Sequence, residues 1–209
     1  MGQVVRKLLY GDNDIYDGAP MLPYCEFMWG DKENNAAIFK ECITEIKPNL
    51  IVEVGSWVGG SAIMMAEIVK EQGLDTEIVC IDTWLGSVEH LGEQCTMNQE
   101  HGRPTIYRDF MSNVIQAGFQ DIITPFSMDS INALLFLKKQ GILADIVYLD
   151  AGHDQMSVKG DLYNASNILR VDGVLLGDDW HHPDVRAAVF LMFGMAFIRE
   201  RGNKYIWIK

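Results

Sequence analysis

The stretch LIVEVGSWVGGS, residues 50–61, decides how the rest of the chain is read. Its first five residues form a short apolar run, with β-branched side chains at Ile51, Val52 and Val54, as expected of a strand buried on both faces. The following residues are rich in glycine. Gly55 lets the chain turn tightly off the strand, and Gly59 and Gly60 let backbone approach a ligand with no Cβ in the way. Residues 61–72 then carry helical spacing, which completes the opening of a βα unit. The GxxxGG spacing is not the GxGxxG of a dinucleotide site, and no Gly-Lys-Ser/Thr follows to make a P-loop. A tight turn without a ligand is the alternative for the glycines taken alone.

The same rhythm repeats along the chain. Apolar runs at 77–81, 121–126, 144–149 and 174–177 alternate with helix-like segments at 111–117, 158–169 and 184–193. Residues 196–200 and 204–208 read as a terminal hairpin around Arg201-Gly202-Asn203. The pattern predicts an α/β fold: a doubly wound, mainly parallel sheet with a C-terminal antiparallel hairpin. Residues 1–33 read as an irregular extension, and residues 36–46 as a helix stopped by Pro48. Residues 85–109 are polar and lack a period, so they read as an insert that serves as a lid or contact surface.

Length and composition agree with one globular domain over 1–209, comprising an N-terminal part to residue 47 and an α/β core from 48: 48% of residues are hydrophobic and 22% charged. Seventeen Lys and Arg against 29 Asp and Glu give a net charge of −12, a poor match to nucleic acid or an anionic membrane. Cys25, Cys42, Cys80 and Cys95 show no CxxC spacing, which argues against structural zinc and a disulfide scaffold. Cys80 reads as a buried thiol. No basic region precedes a long apolar stretch near residue 1, and the longest apolar stretch, 187–198, is too short to span a bilayer. The expectation is a cytoplasmic protein with a small-molecule partner; self-association into a homo-oligomer stays open.

Acids fall where an α/β site would use them. Glu53 precedes Gly55, and Asp82 ends the second strand, where a carboxylate can accept both hydroxyls of a ribose. A turn or helix cap is the alternative for Asp82. Asp150 ends the fourth strand, and Asp178 and Asp179 end the fifth. Three converging carboxylates repel unless a cation compensates, and hard oxygen ligands favour Mg²⁺, Mn²⁺ or Ca²⁺. One of the last pair could instead cap the helix near Pro183. His153 is close enough in sequence to Asp150 to act as a base on a hydroxyl, or to orient the loop. His181 and His182 could bond across the rim or contact substrate. Trp84 and Trp180 are candidate pocket walls or core residues.

The element ExGxxxGxS, here Glu53, Gly55, Gly59 and Ser61, resembles the first motif of class I S-adenosylmethionine-dependent methyltransferases, and Asp82 matches their ribose acid. The resemblance implies that Gly55, Trp57 and Ser61 surround the methionine portion and that Ser127, Met128 and Asp129 flank adenine. LDAGH at 149–153 and GVLLGDDW at 173–180 resemble metal-dependent O-methyltransferases. These are of the macrocin and aminocoumarin sugar type, with cephalosporin hydroxylase-like relatives, and include catechol O-methyltransferase. That likeness implies an S-adenosylmethionine-dependent O-methyltransferase with Asp150, Asp178 and Asp179 on Mg²⁺ or Mn²⁺, His153 as base, and a sugar or phenolic hydroxyl as acceptor. The rival readings are a metal-dependent hydroxylase or hydrolase, built for instance on Asp150, His153 and His181, and a non-catalytic S-adenosylmethionine-binding protein.

Overall fold

Burial on both faces dictates how the apolar runs assemble. In the computed structural model, which describes residues 3–23, 32–90 and 97–209, every residue of the run Ile51 to Val54 is buried. The elements follow as α1 (Val4–Tyr10), α2 (Lys32–Ile46), β1 (Leu50–Val54), α3 (Gly60–Glu71) and β2 (Glu77–Asp82), then β3 (Gln99–Glu100), β4 (Arg103–Pro104), α4 (Ile106–Ala117) and β5 (Ile123–Ser127). They continue with α5 (Ser130–Lys139), β6 (Ala144–Leu149), α6 (Gln155–Ile168), β7 (Leu169–Gly177), α7 (Pro183–Phe193), β8 (Arg199–Arg201) and β9 (Lys204–Ile208). The described residues form a seven-stranded sheet in the order β5-β2-β1-β6-β7-β9-β8, parallel except where β9 pairs antiparallel with β7 and β8. β3 and β4 make a separate two-stranded ribbon.

Alternating strand residues feed two cores. Ile51, Cys80, Tyr148 and Leu176 pack under α2, α3 and α4 beside Phe39, Met65 and Phe110. Val52, Val79, Val147 and Leu175 face α5, α6 and α7 beside Leu134, Leu162 and Val189. The doubly wound arrangement, the parallel runs and the terminal hairpin expected from the sequence are all present. Cys42 and Cys80 are buried free thiols; Cys25 and Cys95 lie outside the described residues, as do residues 91–96 of the insert. Among the described residues, no helix is long and apolar enough to cross a membrane.

Four local expectations change, one of them at α4, which starts at Ile106 inside the segment 85–109 read as an aperiodic insert. The first residues are not wholly irregular, because α1 forms with its start capped from a distance: both Glu77 carboxylate oxygens accept N–H groups, from Val5 at 2.9 Å and from Arg6 at 2.7 Å. Side chains from this segment then occupy successive outward carbonyls beside edge strand β5, with Gln3 donating to Asp121, Arg6 to Ile123 and Tyr10 to Pro125. β7 begins earlier than expected because Asp172, at φ 60°, carries the chain through the Val-Asp-Gly segment as a register shift instead of ending the strand. Residues 195–197 form a 3₁₀ turn, so β8 starts only at Arg199.

α5 and α6 are tied by Ser130, whose Oγ donates to Asp161 Oδ1 at 2.5 Å. Burial pushes the Asp161 carboxyl from 3.8 up to about 6. A raised acid pKa means the folded state holds the proton more tightly, so this group's contribution is complete below the ordinary value and is lost as pH rises through about 6. The loss is at most about 3 kcal/mol. Asp161→Asn keeps the acceptor and removes the charge. Thermal denaturation is expected to show a higher Tm than the parent at pH 8 and no difference near pH 4.

Candidate functional site

The strand register brings the chemistry-bearing turns to one rim. Val54 pairs with Ile81 and Leu149, Asp82 with Ser127, and Leu149 with Gly177. The turns beyond these ends surround a cavity of about 450 Å³ whose wall includes Gly55, Trp57, Ser61, Asp82, Met128, Asp150 and His153. A cavity at the carboxyl ends of parallel strands is the place where open α/β sheets bind ligands.

Gly55 is required by close approach. Its φ is 86°, and a Cβ there would lie 2.0 Å from the Asp150 carbonyl oxygen, so β1 and β6 meet through bare backbone. Beyond it, the Ser56 and Trp57 N–H groups donate to Asp82 Oδ2 at 2.9 and 2.8 Å, while the Trp84 N–H donates to Oδ1 at 2.7 Å. Successive N–H groups of this kind form an anion nest. Here the anion is the chain's own carboxylate, which would repel a pyrophosphate, in accord with the exclusion drawn from the glycine spacing. Counting lone pairs, Asp82 keeps one acceptor position on Oδ1 instead of the two oxygens expected to grip a diol.

Trp57 and Trp84 both stand in the left-handed region, at φ 47° and 52°. Such residues cost of order 1–3 kcal/mol each and persist only where their surroundings over-determine them. The Trp57 carbonyl accepts from Trp84 Nε1 at 2.7 Å, and the Val58 carbonyl from Asn113 Nδ2 at 2.9 Å. The Trp57 ring stacks on His90 from the insert, with centroids 4.2 Å apart and planes 15° apart.

Other expected cofactor residues are placed differently. Glu53 is fully buried and absent from the cavity wall; it accepts from Ser61 Oγ and from Cys80 Sγ, and burial raises its pKa. It is one step back from the cavity, which its partner Ser61 lines. Gly59 caps α3 at φ 92° beneath the Phe110 ring. Ser127 is exposed at the end of β5, and Met128, Asp129 and Ser130 line the cavity instead. Asp129 also caps α5 by accepting the Asn132 N–H.

At the acidic rim, Asp150, His153 and Asp179 each offer a ligand atom within 4.8 Å of the others. His153 Nε2 lies 2.8 Å from Asp179 Oδ2, and this hydrogen bond is the main cause holding the Asp179 carboxyl below the usual range. Asp150 keeps a partly exposed edge on the cavity, yet desolvation and then the nearby Asp178 carboxylate push it up to about 7.

Asp178 departs from the expected trio. Its Oδ2 is held by Lys204 Nζ at 2.5 Å and lies 2.9 Å from the Tyr148 hydroxyl, while Oδ1 accepts from Asn203 Nδ2 and the Asp179 N–H. The physical reason is a fully buried ammonium, Lys204, that needs an anionic partner. The Tyr148 hydroxyl accepts from Lys204 at 3.1 Å and lies 2.9 Å from Asp150 Oδ2 as well as from Asp178. One hydroxyl proton serves one carboxylate at a time, so a proton held by Asp150 would satisfy the second contact.

His181 is exposed, with Nδ1 against Asn203 Oδ1 and 4.0 Å from Asp179. It is not in the metal-capable group, which holds one imidazole and two carboxylates, the reverse of the two-His, one-carboxylate set of oxygen-activating iron. Trp180 is core, packed on Phe190 and Tyr205, and Trp84 is 2% exposed behind the glycine loop. Lys204, Tyr148 and the bracing role of Trp84 were not legible in the sequence. The one available signal was a lysine opening the otherwise apolar KYIWI strand.

Comparison with known proteins bears on the fold and the family. No curated protein sequence matches the chain. Among solved structures, the calicheamicin methyltransferase CalS11 superposes with a TM-score of 0.65 at 15% identity, covering 87% of this chain and 81% of its own. The O-methyltransferase NovP gives 0.62 at 17%, covering 84% and 79%. TomG from Streptomyces achromogenes, an O-methyltransferase involved in tomaymycin synthesis and solved with S-adenosylmethionine, gives 0.62 at 15%, covering 99% and 95%. These likenesses show the Rossmann-like methyltransferase fold. The profile of the methyltransferase-domain family matches residues 52–180, from β1 through the acidic rim, and the chain belongs to that family.

Proposed function

We propose that the chain transfers a methyl group from S-adenosylmethionine to a hydroxyl of a small molecule, a sugar or a phenol, with a divalent cation held by Asp150 and Asp179. The observation that carries this reading is that the glycine loop and the Asp150–His153 segment line one cavity, with Asp179 paired to that histidine. TomG was solved with S-adenosylmethionine, and CalS11 is described as a TDP-rhamnose 3'-O-methyltransferase; both support the cofactor and acceptor class.

S-adenosylmethionine supplies the methyl group already activated as a sulfonium, so the chain needs no covalent nucleophile. Gly55 and the loop after it present backbone to that ligand, and Asp82 offers its remaining acceptor position to a ribose hydroxyl. Two carboxylates and a partly exposed mouth fit a hard cation such as Mg²⁺ or Mn²⁺. A cation bound there supplies Lewis acidity that makes the acceptor hydroxyl easier to deprotonate.

His153 takes the hydroxyl proton. With the Nε2–H directed to Asp179, the neutral ring carries its lone pair on Nδ1, and Asp179 stabilises the imidazolium that forms. Held across the loop after β1, S-adenosylmethionine would supply its methyl carbon to the hydroxyl oxygen, with the electron pair of the carbon–sulfur bond left on sulfur. Most of the acceleration comes from holding nucleophile and methyl carbon in line, to which proton removal adds.

Three experiments test the assignment. His153→Ala is expected to lower turnover by about 10²–10⁴-fold while S-adenosylhomocysteine affinity stays within about threefold by calorimetry; unchanged turnover clears His153 of the role. Chelation is expected to abolish methyl transfer, with Mn²⁺ restoring it. Asp179→Asn should weaken Mn²⁺ binding to the cofactor-free protein by about tenfold or more. Full activity after chelation removes the cation from the reading.

A further inference from the structure

The left-handed tryptophan on the cavity wall is braced by a residue that touches neither the cavity nor the acidic rim. Trp57 stands at φ 47° between Gly55 and Gly59, which share its positive φ, a conformation that a bulky L residue keeps only when its neighbours enforce it. Two bonds hold its flanking peptides: the N–H donates to Asp82 Oδ2 at 2.8 Å, and the carbonyl accepts from Trp84 Nε1 at 2.7 Å. Trp84 is left-handed as well, at φ 52°, and its own N–H returns to the other oxygen of the same carboxylate at 2.7 Å. Its indole is fixed against the rings of Tyr107 and Phe110, with centroids 4.8 and 4.9 Å away. One carboxylate and one indole N–H thus close a circuit around the Trp57 backbone. The Trp57 side chain lines the cavity and lies flat against His90.

We propose that Trp84 is a positioning residue for the cofactor: its indole N–H fixes the peptide after Trp57 in the left-handed turn and so aims the Trp57 ring at the cavity. The proposal rests on the reading that S-adenosylmethionine lies across the loop after β1. A residue at position 57 released from the left-handed region would carry its Cβ and ring in another direction.

Trp84→Phe removes the donor, and replacing the Trp84 indole with benzothiophene removes it while keeping both fused rings. In both proteins the Kd for S-adenosylhomocysteine, measured by calorimetry, is expected to rise about tenfold, equivalent to about 1.4 kcal/mol. Hydrogen exchange of the amides at 56–58 should accelerate. Trp57→Gly provides the discriminating background, because glycine adopts the turn freely and has no ring to aim. With Trp57→Gly present, losing the Trp84 N–H is expected to change the Kd by less than twofold.

Binding within twofold of wild type in both Trp84 variants overturns the proposal. So does an equal loss with and without Trp57→Gly, since that reports general packing. The benzothiophene protein keeps the test decisive if Trp84→Phe fails to fold. A wild-type chain that bound no S-adenosylhomocysteine would remove the cofactor reading together with the proposal, whereas normal wild-type binding with unaffected variants removes the proposal alone.

Discussion

The close approach of Gly55 to the carbonyl of Asp150 is the constraint on which the site depends. With no room for a Cβ between them, the end of β1 lies directly against the end of β6. Gly55 donates to Ile81, and Asp150 donates to Val54, so three strand ends are stitched together one residue past the regular ladder. The glycine loop and the acidic rim are therefore parts of one backbone arrangement, and a ligand seated on the first is within reach of the second.

Buried charge at this rim is organised in two tiers. The inner tier is closed: Glu53 is held by Ser61 and Cys80, and Asp178 by Lys204. The outer tier faces the cavity, with Asp150 raised by burial and Asp179 lowered by its hydrogen bond to His153. Tyr148 joins the tiers through its hydroxyl, which meets Asp150, Asp178 and Lys204. The opposite shifts of these neighbouring carboxyls follow from their surroundings, burial for Asp150 and the hydrogen bond from His153 for Asp179.

The sequence revealed what depends on local pattern. Strands buried on both faces leave continuous apolar runs, so β1, β2, β6 and the end of β7 could be read directly, and with them the residues at their carboxyl ends. Asp150, Asp179 and His153 meet for that reason. What escaped depends on partners far along the chain. Glu77 caps α1 from 72 residues away, and Lys204 takes Asp178 because the terminal strand folds back beside β7. Asp82 was legible as a site acid, but its three N–H partners were not, because they follow from the left-handed turns at Trp57 and Trp84. Strained residues of that kind break local propensity, and local propensity is all a single sequence displays.

The segment that wraps β5 has a consequence for how copies of this protein can meet. An open sheet invites a foreign strand at each edge. Here the outward carbonyls along the β5 side are already taken by Gln3, Arg6 and Tyr10, and Pro125 has no N–H to offer. The opposite edge, β8, is only three residues long, and all three, Arg199, Glu200 and Arg201, are charged. Among the described residues, both edges of the seven-stranded sheet are therefore poor templates for a strand from another molecule.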